Sequence, residues 1–177
     1  RTLPDGRRVL TFKPANREYT AIEGQPMEFP TRPVRATQDW LRFPVSGITA
    51  AQAEAYVAWL DSTGRVPGAR LCTEMEWERA ARGADTRNFP AGNVLSPQDA
   101  NYDATYRKYP TAMGPDEIGS HPASRSPFGL DDMAGNVWEW TVSSVEPNGH
   151  AARGGSFYFD ANTARVMNRE TPEASFR

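Results

Sequence analysis

Two neighbouring stretches of the chain carry the apolar spacing of a helix. Thr49-Ala50-Ala51-Gln52 has the form of a capping box, in which the threonine hydroxyl and glutamine side chain satisfy free amides of a first turn. Ala53, Tyr56, Val57 and Leu60 follow at helical spacing, and Gly64 stands where a left-handed C-cap belongs. This pattern predicts a helix over 50–62. Thr73-Glu74-Met75-Glu76 repeats the capping box, Trp77, Ala80 and Ala81 supply an apolar face, and Gly83 ends a second helix. The Tyr56/Val57/Leu60 and Trp77/Ala80/Ala81 faces are expected to share one core with Trp138 or Trp140.

Elsewhere the pattern is short-ranged. Val9, Leu10 and Phe12 form one brief strand and Tyr19 to Ile22 another, before Pro26, Pro30 and Pro33 interrupt. Proline lacks the amide donor of a central strand, so this region reads as edge strand and loop. After Gly83 no helical stripe exceeds two turns. Phe157 and Phe159 alternate with Tyr158, which in a strand puts the phenylalanines inside and the tyrosine outside. Two helices, brief strands and long irregular stretches make an α+β fold. Loops of such length are held by function, a metal or buried polar networks. Residues 1–42 read as an N-terminal loop and edge-strand portion of the same domain as 43–177.

Composition narrows the chemistry. The 177 residues suffice for one domain with a core. No apolar run reaches the roughly 20 residues of a membrane span. Twenty basic against 22 acidic residues leave a net charge of -2, so no nucleic-acid partner is expected. Cys72 is the single cysteine, which excludes an internal disulfide and a two-cysteine metal or redox pair. It reads as a small buried hydrophobe and favours a reducing, cytoplasmic interior. With only His121 and His150, a three-histidine zinc site is impossible; both read as solvated loop residues. A Ser156/His150/Asp160 triad can be assembled on paper, but no nucleophile-elbow or oxyanion motif accompanies it. Arg1 opens the chain without methionine or a leader, so the sequence reads as a piece of something larger.

The most unusual stretch is Gly135-Asn136-Val137-Trp138-Glu139-Trp140. Gly135-Asn136 adopts left-handed geometry cheaply and makes a sharp turn. Val137, Trp138 and Trp140 are a large apolar load for a core short of aliphatics. Glu139 between two tryptophans must be paired, coordinating or protonated. The pairing candidates are arginines such as Arg79 or Arg153.

Three segments in order carry a family resemblance. They are Arg70-Leu71-Cys72-Thr73-Glu74-Met75-Glu76-Trp77-Glu78-Arg79-Ala80-Ala81-Arg82-Gly83, then Phe128 through Trp140, then Arg153-Gly154-Gly155-Ser156-Phe157. Together they resemble the formylglycine-generating enzyme, or sulfatase-modifying factor, family over roughly residues 43–177. The fold this implies is C-type-lectin-like: two helices, small antiparallel sheets and much ordered loop. The ending Ser175-Phe176-Arg177 is similar to that family's closing Gly-Phe-Arg strand, or is cut just before it.

The resemblance implies calcium. Carried over residue by residue, Asp132 and Glu139 give carboxylates while Gly135 and Val137 give carbonyls, a hard-oxygen set that suits the ion. A second implied calcium site uses Asn101 and the Tyr102 carbonyl, with Asp116 as a possible partner. The family's oxidase chemistry needs two cysteines binding copper as thiolates. Here those positions are Phe159 and Ala164, so no copper is expected.

The reading that follows is a non-catalytic ligand- or protein-binding module, part of a larger bacterial signalling or display protein. Such modules accompany kinase or protease domains or serve as variable proteins of diversity-generating retroelements. The candidate ligand surface is Tyr158, Asp160, Asn162, Arg165, Asn168 and Arg169, since aromatics and arginine suit recognition. Arg165 and Arg169 suit buried ion pairs equally well. The alternative is a sulfatase-modifying oxidase or an iron-dependent sulfoxide-synthase-like enzyme with ligands on missing segments.

Overall fold

The computed structural model describes residues 1–15 and 17–172, so the chain's final Ser175-Phe176-Arg177 lies outside them. In chain order the elements are β1 (Val9–Phe12), β2 (Tyr19–Ile22), β3 (Met27–Glu28), β4 (Thr37–Gln38), α1 (Ala50–Ser62), α2 (Glu74–Arg82), β5 (Glu139–Val142) and β6 (His150–Arg153). The strands pair as three antiparallel ribbons, β1–β2, β3–β4 and β5–β6. Phe12 lies opposite Tyr19, and Glu139 opposite Arg153. The architecture is α+β.

Both helices start as their sequences dictate. Thr49 and Gln52 close the capping box of α1, and Thr73 and Glu76 that of α2. Gly64 and Gly83 follow the helices with φ of +68° and +75°.

Their packing departs from the expected shared core. α1 buries only Ala50 and Ala53; Tyr56 is exposed and stacks on Trp59, while Val57 and Leu60 are half-buried. Small residues in the first turn let that end approach the body most closely, while Val57 and Leu60 stay only partly covered and Tyr56 faces solvent. α2 does bury its face: Trp77 and Ala81 meet Met133 and Val166, with Cys72 and Ala80 at the edge. Trp138 and Trp140 are half-buried outside that cluster.

The apolar interior is divided into separate clusters. Tyr19, Ala21, Met27 and Phe29 form one under the N-terminal ribbons. Phe89, Ala100, Tyr102, Ala134 and Ala164 form another. A chain with few large aliphatics has to join such clusters by polar means.

The joint is a buried network around Asp116. Its Oδ1 accepts from Arg32 Nη1 at 2.8 Å, Gln38 Nε2 at 2.7 Å and the Tyr106 hydroxyl at 3.0 Å. Its Oδ2 lies 2.7 Å from His121 Nε2. Arg32 lies between the rings of Phe29 and Tyr106, 3.5 and 4.1 Å from their centroids. Burial pushes the Asp116 carboxyl up, but His121, Arg32 and Gln38 outweigh it and hold the group below the ordinary carboxylate value. His121 is therefore not a solvated loop residue: it is 2% exposed, with Nδ1 on the carbonyl of Gln98. His150 is half-buried and meets Glu54 of α1 at 2.9 Å.

Candidate functional site

A cleft of about 1110 Å³ opens between the N-terminal segment and the start of β5. Phe12, Trp138, Trp140 and Phe157 give it aromatic walls. Asp132, Glu139, Gly135 and Val137 also line it, so all four residues of the first implied calcium site come together on one surface.

The turn that gathers them is built locally. Gly135 and Asn136 both hold left-handed backbone, at φ of +72° and +65°. A Cβ on Gly135 would sit 2.2 Å from the carbonyl oxygen of Asn101, so only glycine fits. The Gly135 amide donates to the Gly154 carbonyl at 2.7 Å, and the Asn136 amide to that of Asn101 at 2.7 Å. Asp132 is left-handed as well, at φ +59°.

The two carboxyl groups are poorly compensated. Glu139 Oε2 accepts from Trp77 Nε1 at 2.7 Å. Burial, helped by the nearby charge of Asp132 and opposed by the Trp77 bond, pushes the Glu139 carboxyl up to about 7. Asp132 Oδ2 accepts from the Gly119 amide at 2.6 Å, yet burial still raises its carboxyl above the ordinary value. The expected arginine partners are engaged elsewhere. Arg79 donates to the Gly83 carbonyl, and Arg153 to Glu78 and the Val166 carbonyl. Glu139 is thus not an ordinary ion-pair residue.

This donor set fits a hard divalent cation. Among the described residues no backbone amide donates to the carbonyls of Gly135 or Val137. Two carboxyl groups held above their ordinary values and two open carbonyls are the oxygen ligands calcium takes. Among the described residues no group of three or more His, Cys, Asp or Glu side chains gathers, so carbonyls have to complete such a site.

The second implied site does not fit. Asn101 and Asp116 belong to one buried region, but the oxygens of Asp116 are spent on Arg32, Gln38, Tyr106 and His121. The Tyr102 carbonyl accepts from the Thr105 amide at 3.0 Å. Asn101 gives its amide group to Gly114 and Asn136 and leaves Oδ1 without a partner. A guanidinium stands where a metal was expected at Asp116.

The proposed ligand residues divide between an exposed loop and internal contacts. Residues 157–159 form a turn rather than a strand, because the paired left-handed Gly154 and Gly155 end β6. Phe159 is consequently exposed, against the expected inward orientation, and packs edge-on to Trp138 with centroids 5.9 Å apart. Tyr158, Asp160, Asn162 and Arg165 are also exposed on this loop. Asn168 Nδ2 binds the Thr163 carbonyl, and Arg169 Nε binds Glu74 at 2.7 Å, so both serve internal contacts. Ser156 and Phe157 are the loop residues that reach the cleft. Ala164, which the family resemblance implied as the second thiol position, is fully buried and lies close behind Gly155. Burial, and after it the Glu139 charge, raises the Cys72 thiol.

Sequence reasoning missed Arg32, Gln38 and Tyr106, and the cleft contributions of Phe12, Lys13 and Arg42. Arg32 between Pro30 and Pro33 shows no periodic signal; only its contacts reveal it.

Comparison with known proteins places this geometry. The family described as sulfatase-modifying factor enzyme 1-like domain matches residues 12–177. The inactive C-alpha-formylglycine-generating enzyme 2 of Mus musculus is 31% identical over 188 residues, covering 97% of this chain and 58% of its own length. The hercynine oxygenase of Mycolicibacterium smegmatis is 38% identical over 109 residues, covering 59% of this chain and 22% of that protein. This chain therefore spans less than two thirds of either relative. Treponema denticola variable protein 1 superposes with a TM-score of 0.65 at 17% identity, covering 96% of this chain and 95% of that one. PvdO from Pseudomonas aeruginosa superposes at 0.62 and 16% identity, covering 97% and 87%. These likenesses bear out the C-type-lectin-like α+β fold.

Proposed function

The chain belongs to the sulfatase-modifying factor enzyme 1-like family, and from that premise we propose that it serves as a non-catalytic binding module. One observation carries this reading: the two positions that would hold copper-binding thiols are an exposed phenylalanine, Phe159, and a fully buried alanine, Ala164. Neither side chain replaces a thiolate. The likeness to a relative named as inactive supports the same reading.

The binding surface is the cleft and its continuation across Trp138 to Phe159 and Tyr158. Trp138 belongs to both, since it lines the cleft and touches Phe159. Aromatic walls with a few fixed polar groups are the general make-up of ligand sites. The occupant is a protein or small-molecule ligand, and a fused or associated kinase or protease domain is the setting in which it acts. Calcium, held by Asp132, Glu139 and the Gly135 and Val137 carbonyls, would supply charge neutralisation and rigidity to the turn.

The similarity to hercynine oxygenase supports a second reading, an iron-dependent enzyme with ligands outside this chain. Against it, His121 is bound to Asp116 and Gln98, and His150 to Glu54. Titration with copper(I) against a competing chelator tests the first reading. No tight binding is expected; a one-to-one complex with two-thiolate strength overturns it.

A further inference from the structure

Arg32 is a charged residue with no exposed side-chain surface, delivered by the N-terminal segment into the body of the protein. Its guanidinium donates to the carbonyls of Ala112 and Gly114, at 2.7 and 2.9 Å, besides the carboxylate of Asp116. Three of its contacts thus fix the backbone of residues 112–115, the carbonyl of Pro115 being the third at 3.5 Å, while the fourth holds the Asp116 side chain.

That backbone is tied directly to the cleft. The Asp116 amide donates to Asn136 Oδ1 at 2.9 Å, and Asn136 Nδ2 donates back to the Asp116 carbonyl at 3.2 Å. This reciprocal pair holds the side chain of the residue whose left-handed backbone turns the chain between Gly135 and Val137. Asn101 Nδ2 braces the same oxygen from the other side, at 3.3 Å.

We propose that Arg32 is a positioning residue for the cleft turn: bound to residues 112–116, it holds Asn136 and so aims the Gly135 and Val137 carbonyls alongside Asp132 and Glu139. Resting on the cleft reading above, this makes the N-terminal segment part of the site although Arg32 never touches a ligand. A guanidinium suits the task because its planar fork binds several oxygens in fixed directions and stays charged when buried. The cation at Asp116 is accordingly built into the chain.

Two readouts, one on the metal-free protein and one with terbium, test this. In the metal-free protein, Arg32→Met is expected to speed amide exchange at Gly135 and Asn136 at least tenfold, while the Val142 amide of β5 keeps its rate. With terbium as calcium mimic, excited through Trp138 and Trp140, the same variant is expected to bind at least tenfold more weakly. Arg32→Lys should restore part of both. Val9→Ala, a core change in β1, should lower the melting temperature without moving either readout. Unchanged exchange at Gly135 and Asn136 overturns the proposal whatever the metal does. Absence of terbium binding to the wild type overturns the calcium reading and leaves the exchange result to decide Arg32. If Arg32→Met does not fold, Gln38→Leu, which removes one donor to Asp116, is read by the same exchange criterion.

Discussion

The indole of Trp77 in α2 donates to Glu139 at the start of β5 at 2.7 Å, across 62 residues of chain. This bond points the carboxyl of the most unusual motif residue back toward the helix and holds it at the cleft. A lone indole hydrogen bond does not balance a largely desolvated, half-buried charge, so the Glu139 carboxyl is pushed up to about 7.

A cation is the natural relief. Calcium added to the chelated protein should raise its melting temperature, by roughly 5–10 °C at a hundredfold excess over Kd, where linkage contributes about 2.7 kcal/mol. Glu139→Gln should abolish that rise. Identical melting with and without calcium refutes the site.

Gly135→Ala should be far costlier than its single methyl suggests. The new Cβ would meet the Asn101 carbonyl oxygen at 2.2 Å, on backbone at φ +72°. A destabilisation above about 3 kcal/mol in chemical denaturation is expected, since strain at left-handed backbone and overpacking add. A loss below about 1 kcal/mol would show that the turn relaxes.

Trp138→Ala separates binding from folding. A fully buried tryptophan costs about 3–5 kcal/mol on truncation, but half-buried Trp138 should cost roughly 1–2. Retained folding with lost ligand capture is the expected combination. A larger stability loss, by urea titration, would make it a core residue.

Acid should act through Glu74. Burial pushes its carboxyl up, but the bonds from Arg169 and from the Ser144 amide and hydroxyl overrule this and hold it at about 2. Because the folded value lies below the ordinary 4.5, the group stabilises the fold above that pH. The contribution disappears as pH falls toward 2. The stability difference between wild type and Glu74→Gln, measured by denaturation across this range, should therefore shrink on acidification. A difference independent of pH would show that Glu74 is not held ionised.

Local chemistry was legible wherever neighbours in sequence decide the outcome. Thr49 with Gln52, and Thr73 with Glu76, act within one helical turn, so both caps and both helices follow from the residues alone. Val9–Phe12 and Tyr19–Ile22 form strands for the same reason, across a short connection. The motif around Glu139 was visible because a carboxylate between tryptophans is anomalous in any fold, and a single cysteine excludes a thiolate pair by counting alone. Burial was not legible. Whether Tyr56 lies inside depends on which end of α1 touches the body, and whether Phe159 faces inward depends on where β6 stops. His121 and Arg32 were hidden most completely, because their partner Asp116 is distant from Arg32 in sequence and all three are polar residues in irregular chain. No periodicity marks such a residue; only the folded chain, by withdrawing water from all three together, makes their pairing obligatory.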